Sequence, residues 1–244
     1  MSNKLKLAVA LLLTSQLAHA ASDEVYWRYT VRPGDNLITL GRVHLINSDD
    51  WKLVQKLNQV KNPYRMPIGK VLKVPVNLVK KGPATAEVVN ISGVAEMQTA
   101  KGYSALVVGQ TLGPGARLQT KENSKVTIKL ADGTLTSMSS NTEMVLDSLS
   151  LYSGGAMVDT KLRLQKGQVE THANPKHELG NSTQIITPTA IAAVRGTIFR
   201  VAADADSVKE ETLDGKVALQ AAAQEVGVSK GYGSYAESGK PPSA

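Results

Sequence analysis

The chain has 244 residues, of which 42% are hydrophobic and 20% charged, and it carries a formal net charge of +7 at pH 7. It contains no cysteine, which excludes disulfide bridges, a thiol nucleophile and a lipid-modified cysteine anchor. This length accommodates a small module followed by one larger domain.

Residues 1–20 have the pattern of a secretory signal peptide. Lys4 and Lys6 are followed by an unbroken apolar run of seven residues and by a small-residue cleavage site near Ala20 and Ala21. A retained membrane anchor is the weaker alternative, because the run is far shorter than the ~20 residues of a membrane-spanning helix. The expected location of the mature chain is the periplasm, or more generally the outside of the cytoplasm.

Residues 26–76 predict one small module with the order strand, helix, helix, strand. An extended segment runs into the turn pair Pro33-Gly34, and Asp35-Asn36 then offers hydrogen-bond acceptors to the amides at a helix start. An alternating strand at the end of the module stops at Pro75, which cannot donate to a sheet. Helical spacing is seen in Leu37, Leu40 and His44, and again in Trp51, Val54 and Leu57.

This arrangement resembles a LysM domain, a small module that binds glycans containing N-acetylglucosamine, such as peptidoglycan. The resemblance implies a βααβ fold and a shallow groove between the loop after the first strand and the loop before the last. One such groove offers a few hydrogen bonds of ~1 kcal/mol each, so weak binding is expected. The implied glycan-binding residues are Gly34, Asp35, Asn36, Leu37, Pro63, Tyr64, Arg65, Met66, Pro67 and Ile68.

Packing alone is the competing interpretation of this module, with its apolar residues forming a miniature core and Asp35 acting only as a cap. Positive charge is nevertheless concentrated here. Residues 21–80 carry ten basic and five acidic side chains, whereas residues 81–244 carry sixteen of each. This excess favours adhesion to an anionic envelope, while ordinary solvation explains it equally well. Nucleic acid is not an expected partner, since the chain is expected to be exported and its basic residues are not interleaved with exposed stacking aromatics.

Two segments are predicted to lie outside the folded domains. Residues 80–86 predict a linker, because Gly82-Pro83 interrupts both strands and helices and the flanking lysines favour solvent. Residues 235–244 predict a disordered tail. Between them, residues 88–234 predict the larger domain.

Short alternating strands and frequent turn signals characterise this larger domain. Residues 125–130 alternate strictly and precede Asp132-Gly133, a hairpin signal. Similar alternation precedes Lys166-Gly167 and follows Asp214-Gly215. The predicted fold class is α+β, with a βααβ module followed by an all-β domain that is either a sandwich or a short β-solenoid.

Several segments of the second domain resemble the FecR family, and the most specific is residues 194–201. The family is named after an iron-transport regulator that passes a signal from an outer-membrane receptor to a sigma factor. That regulator has a cytoplasmic segment and a transmembrane helix, which this chain is not expected to have. The resemblance therefore implies an extracytoplasmic β-domain for protein contact. The other segments are residues 92–96, 113–120, 131–134, 164–169 and 187–190.

Arg195, Gly196 and Thr197 form the centre of this FecR-like signature. Gly196 suits a bulge or a close backbone approach, and Thr197 shares a strand face with the only phenylalanine, Phe199. Arg195 either ties the bend by donating to nearby carbonyls or recognises a partner.

Catalytic motifs are not apparent in the sequence, and no enzyme activity, cofactor or metal is expected. His172 and His177 lie five residues apart in a predicted loop, which is poor geometry for a metal. The pairs Asp49-Asp50, Asp204/Asp206 and Glu210-Glu211 are more typical of solvated carboxylates than of the acid and base of a glycosidase.

The sequence therefore predicts a non-enzymatic, exported peptidoglycan-binding protein whose β-domain contacts another envelope protein. One alternative is a periplasmic sensor or accessory component of a signalling or secretion system. A cryptic glycan hydrolase is the other alternative.

Overall fold

The structure is a computed structural model that describes residues 25–155, 157–174, 182–194 and 196–243. The expected signal peptide, His177 and Arg195 lie outside the described residues. No helix in the described part of the chain is both long and apolar enough to cross a membrane. Two hydrophobic clusters are present, one in a small N-terminal module and one in a large β-domain.

The module has the order strand, helix, helix, strand that the sequence predicts. The side-chain oxygen of Asn36 accepts a hydrogen bond from the Thr39 amide at 2.8 Å and so caps the first helix. The first and last strands pair antiparallel. The elements are β1 (Tyr26–Thr30), α1 (Leu37–His44), a 3-10 turn (Ser48–Asp50), α2 (Trp51–Leu57), β2 (Val71–Pro75) and a second 3-10 turn (Val76–Leu78).

The β-domain consists of short, mostly antiparallel strands. They are β3 (Lys81–Pro83), β4 (Ala86–Ser92), β5 (Ala95–Thr99), β6 (Gly102–Ala105), β7 (Thr111–Leu112), β8 (Arg117–Thr120), β9 (Lys125–Lys129), β10 (Leu135–Met138), β11 (Glu143–Tyr152), β12 (Val158–His172), β13 (Ser182–Ile186), β14 (Ile191–Val194), β15 (Ile198–Ala203), β16 (Ser207–Asp214), β17 (Lys216–Ala221), β18 (Gln224–Ser229) and β19 (Gly233–Glu237).

Two sheets share strand β12 and enclose one core in a barrel-like arrangement. The first sheet has the order β6-β5-β8-β11-β12-β13-β14-β17-β18, with β3 beside the far end of β11. The second has the order β7-β4-β9-β10-β12-β15-β16-β19. Among the described strands only β12 and β13 pair in parallel. Because a solenoid stacks successive coils in parallel, the observed pairing favours the sandwich-like alternative.

The turn expected at Lys166-Gly167 is wrong. Strand β12 runs through both residues; its first half pairs with β11 and β13, and its second half pairs with β10 and β15. The strand crosses from one sheet to the other at Gly167, whose φ is +95°. The other two turn signals are confirmed, since Asp132-Gly133 joins β9 to β10 and Gly215 separates β16 from β17.

The predicted linker and tail take part in the β-structure. Residues 81–83 form β3, and the Ala84 amide donates to the Leu149 carbonyl at 2.8 Å. Near the C-terminus, the amide of Ser243 donates to the carbonyl of Tyr235 at 2.8 Å. Both segments contain proline and polar residues, but they find unpaired backbone groups on neighbouring strands, which local sequence does not reveal.

Alternation in residues 125–130 is confirmed, because Val126, Ile128 and Leu130 are all buried. The same pattern in β15 buries Phe199 completely. Both strands thus turn their apolar face toward the shared core, as a half-buried strand does.

Candidate functional sites

The two predicted glycan-binding loops lie next to each other in the module. The amide of Leu37 donates to the carbonyl of Pro63 at 2.8 Å, and the amide of Gly69 donates to the carbonyl of Val31 at 2.9 Å. These bonds hold the loop after β1 against the loop before β2. The structure therefore brings together residues that are separated by about thirty positions in the chain.

Exposure divides the predicted glycan-binding residues into two groups. Leu37 is fully buried, so its side chain belongs to the core, contrary to its predicted role at a binding surface. Met66 packs partly buried against the same core. Tyr64 and Ile68 are 73% and 70% exposed, the most open large apolar residues of the module. The exposed members of the predicted set are Gly34, Tyr64, Arg65, Pro67 and Ile68.

Asp35 is hydrogen-bonded to β1 and to its own loop. A single carboxylate oxygen of Asp35, Oδ2, accepts hydrogen bonds from the Tyr29 hydroxyl and from the Arg32 amide, both at 2.7 Å. Burial and this bond to Asp35 raise the pKa of Tyr29 to about 12. Asp35 therefore anchors its loop to β1, while Asn36 is the residue that caps α1.

Gly196 and Thr197 of the FecR-like signature lie where the chain passes from the first sheet to the second. Val194 ends β14 in the first sheet, and β15 begins at Ile198 in the second, with a register irregularity between Ile198 and Phe199. Thr197 is buried and packs close to Gly215, where an added Cβ would lie 2.5 Å from the Thr197 methyl group. Arg195 lies outside the described residues, so both roles proposed for it stay predictions. Gly196 and Thr197 lie in the connection from β14 to β15.

His172 occupies the end of β12, whereas a loop was expected. Its Nε2 atom lies 2.6 Å from a carboxylate oxygen of Glu170, and Arg200 donates to the other oxygen at 2.6 Å. These hydrogen bonds lower the pKa of Glu170. Nearby, the two signature segments around Gly133 and Gly196 meet at an open cavity of about 400 Å³. No group of three or more potential metal ligands occurs among the described residues.

The carboxylate pairs considered for hydrolysis are separated or already engaged. Glu210 and Glu211 are neighbours in β16, so their side chains point to opposite faces of the sheet. Glu210 is 1% exposed and Glu211 is exposed. Asp204 accepts hydrogen bonds from the amides of Asp206 and Ser207 at 2.9 and 2.7 Å, which close a turn.

An apolar turn beside an open sheet edge was missed by the sequence analysis. Strand β6 pairs only with β5 among the described strands, and the Leu106 amide donates to the Ala95 carbonyl. The alternation of antiparallel pairing then directs the backbone groups of Tyr103 and Ala105 away from β5. Val107 and Val108 follow and are each 62% exposed.

The turn after β6 is well defined despite its exposure. The Gln110 amide donates to the Val107 carbonyl at 3.1 Å, and the Val107 amide donates to the Gln110 side chain at 3.2 Å. Two adjacent valines at the tip of a turn gain nothing from packing there. The signal available in the sequence was the pair Val107-Val108 directly before Gly109, since turns are usually polar.

Residues 116–218 match the family described as "FecR protein". The matched range contains four of the FecR-like segments noted above, overlaps a fifth, and spans the strands from β8 to β16 and the start of β17. A FecR-type domain is thus present within the β-domain. The LysM resemblance of the module stays a prediction.

Comparisons with curated proteins give no match. Two crystal structures described as a "putative anti-sigma factor" from Parabacteroides distasonis ATCC 8503 are similar to part of this chain. In both, the TM-score is 0.42, the identity is 14%, and the alignment covers 51% of this chain and 56% of the other. The chain thus spans little more than half the length of these proteins, and this similarity is too low to support a function.

Proposed function

We propose that this protein is a non-enzymatic, extracytoplasmic accessory or sensor component of an envelope signalling or secretion system. The match of residues 116–218 to the FecR family is the observation that carries this proposal. The exported location rests on the signal-peptide pattern of residues 1–20. In this proposal the β-domain works by contact with another envelope protein.

The open edge of β6 and the tip formed by Val107 and Val108 are the proposed contact surface. A partner strand can add to the outward backbone groups of Tyr103 and Ala105, while the two valines offer apolar anchors. Apolar anchors at the centre of an interface carry much of its binding energy. The partner chemistry that fits is an extended segment with alternating apolar side chains.

Replacement of both tip valines by aspartate should abolish capture of the envelope partner. The chain carrying a photo-crosslinking residue at position 108 is irradiated in intact envelopes, and the cross-linked protein is identified. With the cross-linker at position 105, the otherwise unaltered chain should give the same product and the double variant Val107→Asp/Val108→Asp should lose it. In the complex, the two introduced aspartate charges would be removed from water without partners, which costs several kcal/mol.

Tyr232 provides the matched control for this experiment. It lies on a turn between β18 and β19 and is 71% exposed. Tyr232→Asp should leave the cross-linked product unchanged. Equal capture by the double variant, or the same product from a cross-linker at position 232, would refute the contact surface.

Weak binding of peptidoglycan by the module is the second candidate function. It is favoured by the two adjoining loops and by the exposed Tyr64 and Ile68 of the loop before β2. Aromatic and aliphatic faces of this kind pack against sugar rings, while loop backbone groups supply hydrogen bonds. The module would then set the position of the β-domain in the cell wall.

Tyr64→Ala/Ile68→Ala should reduce co-sedimentation of residues 21–244 with purified peptidoglycan several-fold. Val71→Ala is the control, since Val71 is 50% exposed and lies on β2 outside the two loops. Unreduced sedimentation of the double variant, or no sedimentation of the unaltered chain, would remove this function and leave the protein-contact proposal standing.

A further inference from the structure

The module packs against the β-domain beside the end of β11 and the start of β12. Met157 directly precedes β12 and is 1% exposed, and it belongs to the hydrophobic cluster of the module. Tyr152 packs partly buried against the same cluster. The β-domain therefore contributes side chains to the core of its neighbour. Ser153, Gly154 and Met157 are called the clasp below.

Three aromatic side chains of the module receive the clasp. Trp27 is 4% exposed, and its indole lies so close to Gly154 that an added Cβ would be 2.6 Å from the ring. The ring of His44 meets Trp27 edge-on with centroids 5.3 Å apart, and Tyr29 lies 5.8 Å from His44. This packing fixes the His44 ring at the boundary between the two domains.

His44 is also the polar link across this boundary. Its Nδ1 atom and the hydroxyl oxygen of Ser153 are 2.8 Å apart. The amide of Lys80 donates to the carbonyl of His44, and the amide of Ser153 donates to the carbonyl of Lys80, both at 2.8 Å. The histidine therefore sits where the clasp, α1 and the start of β3 converge.

From these contacts we infer that His44 is a pH-sensitive latch, which holds the clasp closed when neutral and releases it when protonated. The device goes beyond the proposed function, because it sets how firmly the module is held to the β-domain whatever each of them binds. It would make their relative orientation depend on the acidity of the envelope.

The charges around His44 support this direction. Burial lowers the pKa of the His44 imidazole below its ordinary value of 6.5, and the positive charges of Lys80 and Arg32 act in the same direction. Only the Asp35 carboxylate opposes them, and it is already engaged by Tyr29. Ser153 brings no charge from the clasp. The closed state thus binds fewer protons than the open state, so the clasp is most stable above pH 6.5 and loses stability as the pH falls below it.

Acrylamide quenching of Trp27 reports the state of the clasp. The chain has two tryptophans, so Trp51→Phe leaves Trp27 as the only one. In residues 21–244 with this background, the quenching constant should be low at pH 8. It should rise several-fold as the pH falls, with a midpoint below 6.5. The quenching constant is used because an imidazolium ring alters fluorescence intensity by itself.

Variants of the latch make the inference falsifiable. His44→Gln should remove the pH step and keep Trp27 protected, whereas His172→Gln should retain the step. Ser153→Ala should move the step to higher pH, because the closed state loses its hydrogen bond between Ser153 and the imidazole. A step that persists in His44→Gln, or the absence of a step in the unaltered background, would overturn the inference.

Alanine substitutions at two adjacent glycines distinguish opening of the clasp from unfolding of the protein. Gly154 and Gly155 both have positive φ, +99° and +74°, but nothing lies within 4 Å of a Cβ added at Gly155. Gly154→Ala should expose Trp27 at every pH by wedging against the indole, while Gly155→Ala should behave as the background. Equal quenching in these two variants would show that the clasp does not cover Trp27, and the latch would fail with it.

Discussion

Gly167→Ala is expected to lower the free energy of unfolding of the β-domain by about 4 kcal/mol, from the combined costs of overpacking, left-handed backbone strain and lost buried hydrogen bonds. Gly167 has φ of +95° at the point where β12 crosses between the sheets. A Cβ added there would lie 2.4 Å from the Thr142 hydroxyl oxygen and 2.6 Å from the Thr142 Cα. Backbone atoms cannot move aside as a flexible side chain does.

Substitution of Gly167 is costly because Thr142, which the added Cβ would meet, connects three strands. Thr142 is fully buried; its hydroxyl accepts a hydrogen bond from the Gln168 amide at 3.0 Å, and its amide donates to the Thr120 hydroxyl at 3.0 Å. Displacement of Thr142 therefore breaks both bonds. Urea unfolding followed by far-UV circular dichroism measures the loss.

Gly115→Ala is the matched control for Gly167→Ala. Gly115 also has a positive φ, +85°, but no atom lies within 4 Å of an added Cβ. Only backbone strain of about 1–2 kcal/mol is expected, partly offset by the lower entropy of the unfolded chain. Equal losses of unfolding free energy in the two variants would mean that Thr142 does not constrain β12 at Gly167.

The second large effect is a dependence of stability on pH that originates at Glu210. This residue faces the core from β16 and is 1% exposed. One carboxylate oxygen accepts from the Thr212 hydroxyl at 2.8 Å, and the other has no hydrogen-bond partner within the described structure. Burial raises the pKa of Glu210 from 4.5 to about 7.

The direction of the effect follows from proton binding. The folded state holds the Glu210 proton between pH 4.5 and 7, where the unfolded state has released it. The free energy of unfolding should therefore fall as the pH rises through this range, by about 3 kcal/mol in total. Glu210→Gln keeps an acceptor for Thr212 and does not ionise, so it should lack this loss.

The measurement compares urea unfolding at pH 5 and pH 8 for the unaltered chain and Glu210→Gln. Their difference in stability should change by about 2.5 kcal/mol between the two pH values, because part of the effect lies below pH 5. Glu211→Gln is the control, because this neighbouring carboxylate is exposed and adds least to the raised pKa of Glu210, so most of the pH dependence should remain. Parallel pH profiles for the unaltered chain and Glu210→Gln would show that Glu210 ionises normally in the folded state.

Features that depend on neighbouring residues were predictable from the sequence. The order of elements in the module follows from helical spacing and from the cap at Asn36. The β9–β10 hairpin follows from strict alternation before Asp132-Gly133. The two loops of the candidate glycan site follow from this element order, but the burial of Leu37 does not, since its neighbours come from distant segments.

Features that depend on partners distant in the sequence were not predictable in this way. Lys166-Gly167 has the composition of a turn, yet strands on both sides hold β12 extended through it. The segment at 81–83 has the composition of a linker, yet it pairs with β11. In both places tertiary hydrogen bonds outweigh local preference.

The sequence by itself determined the order of elements in the module, the alternating strands beside Asp132-Gly133 and Asp214-Gly215, and which residues are apolar enough for the core. Only the tertiary structure decided that β12 serves two sheets, that Glu210 is buried while Glu211 is exposed, and that Met157 packs into the module. The physical reason is that alternation fixes two faces for a strand, whereas the strands and domains that cover each face are chosen by packing across the whole chain.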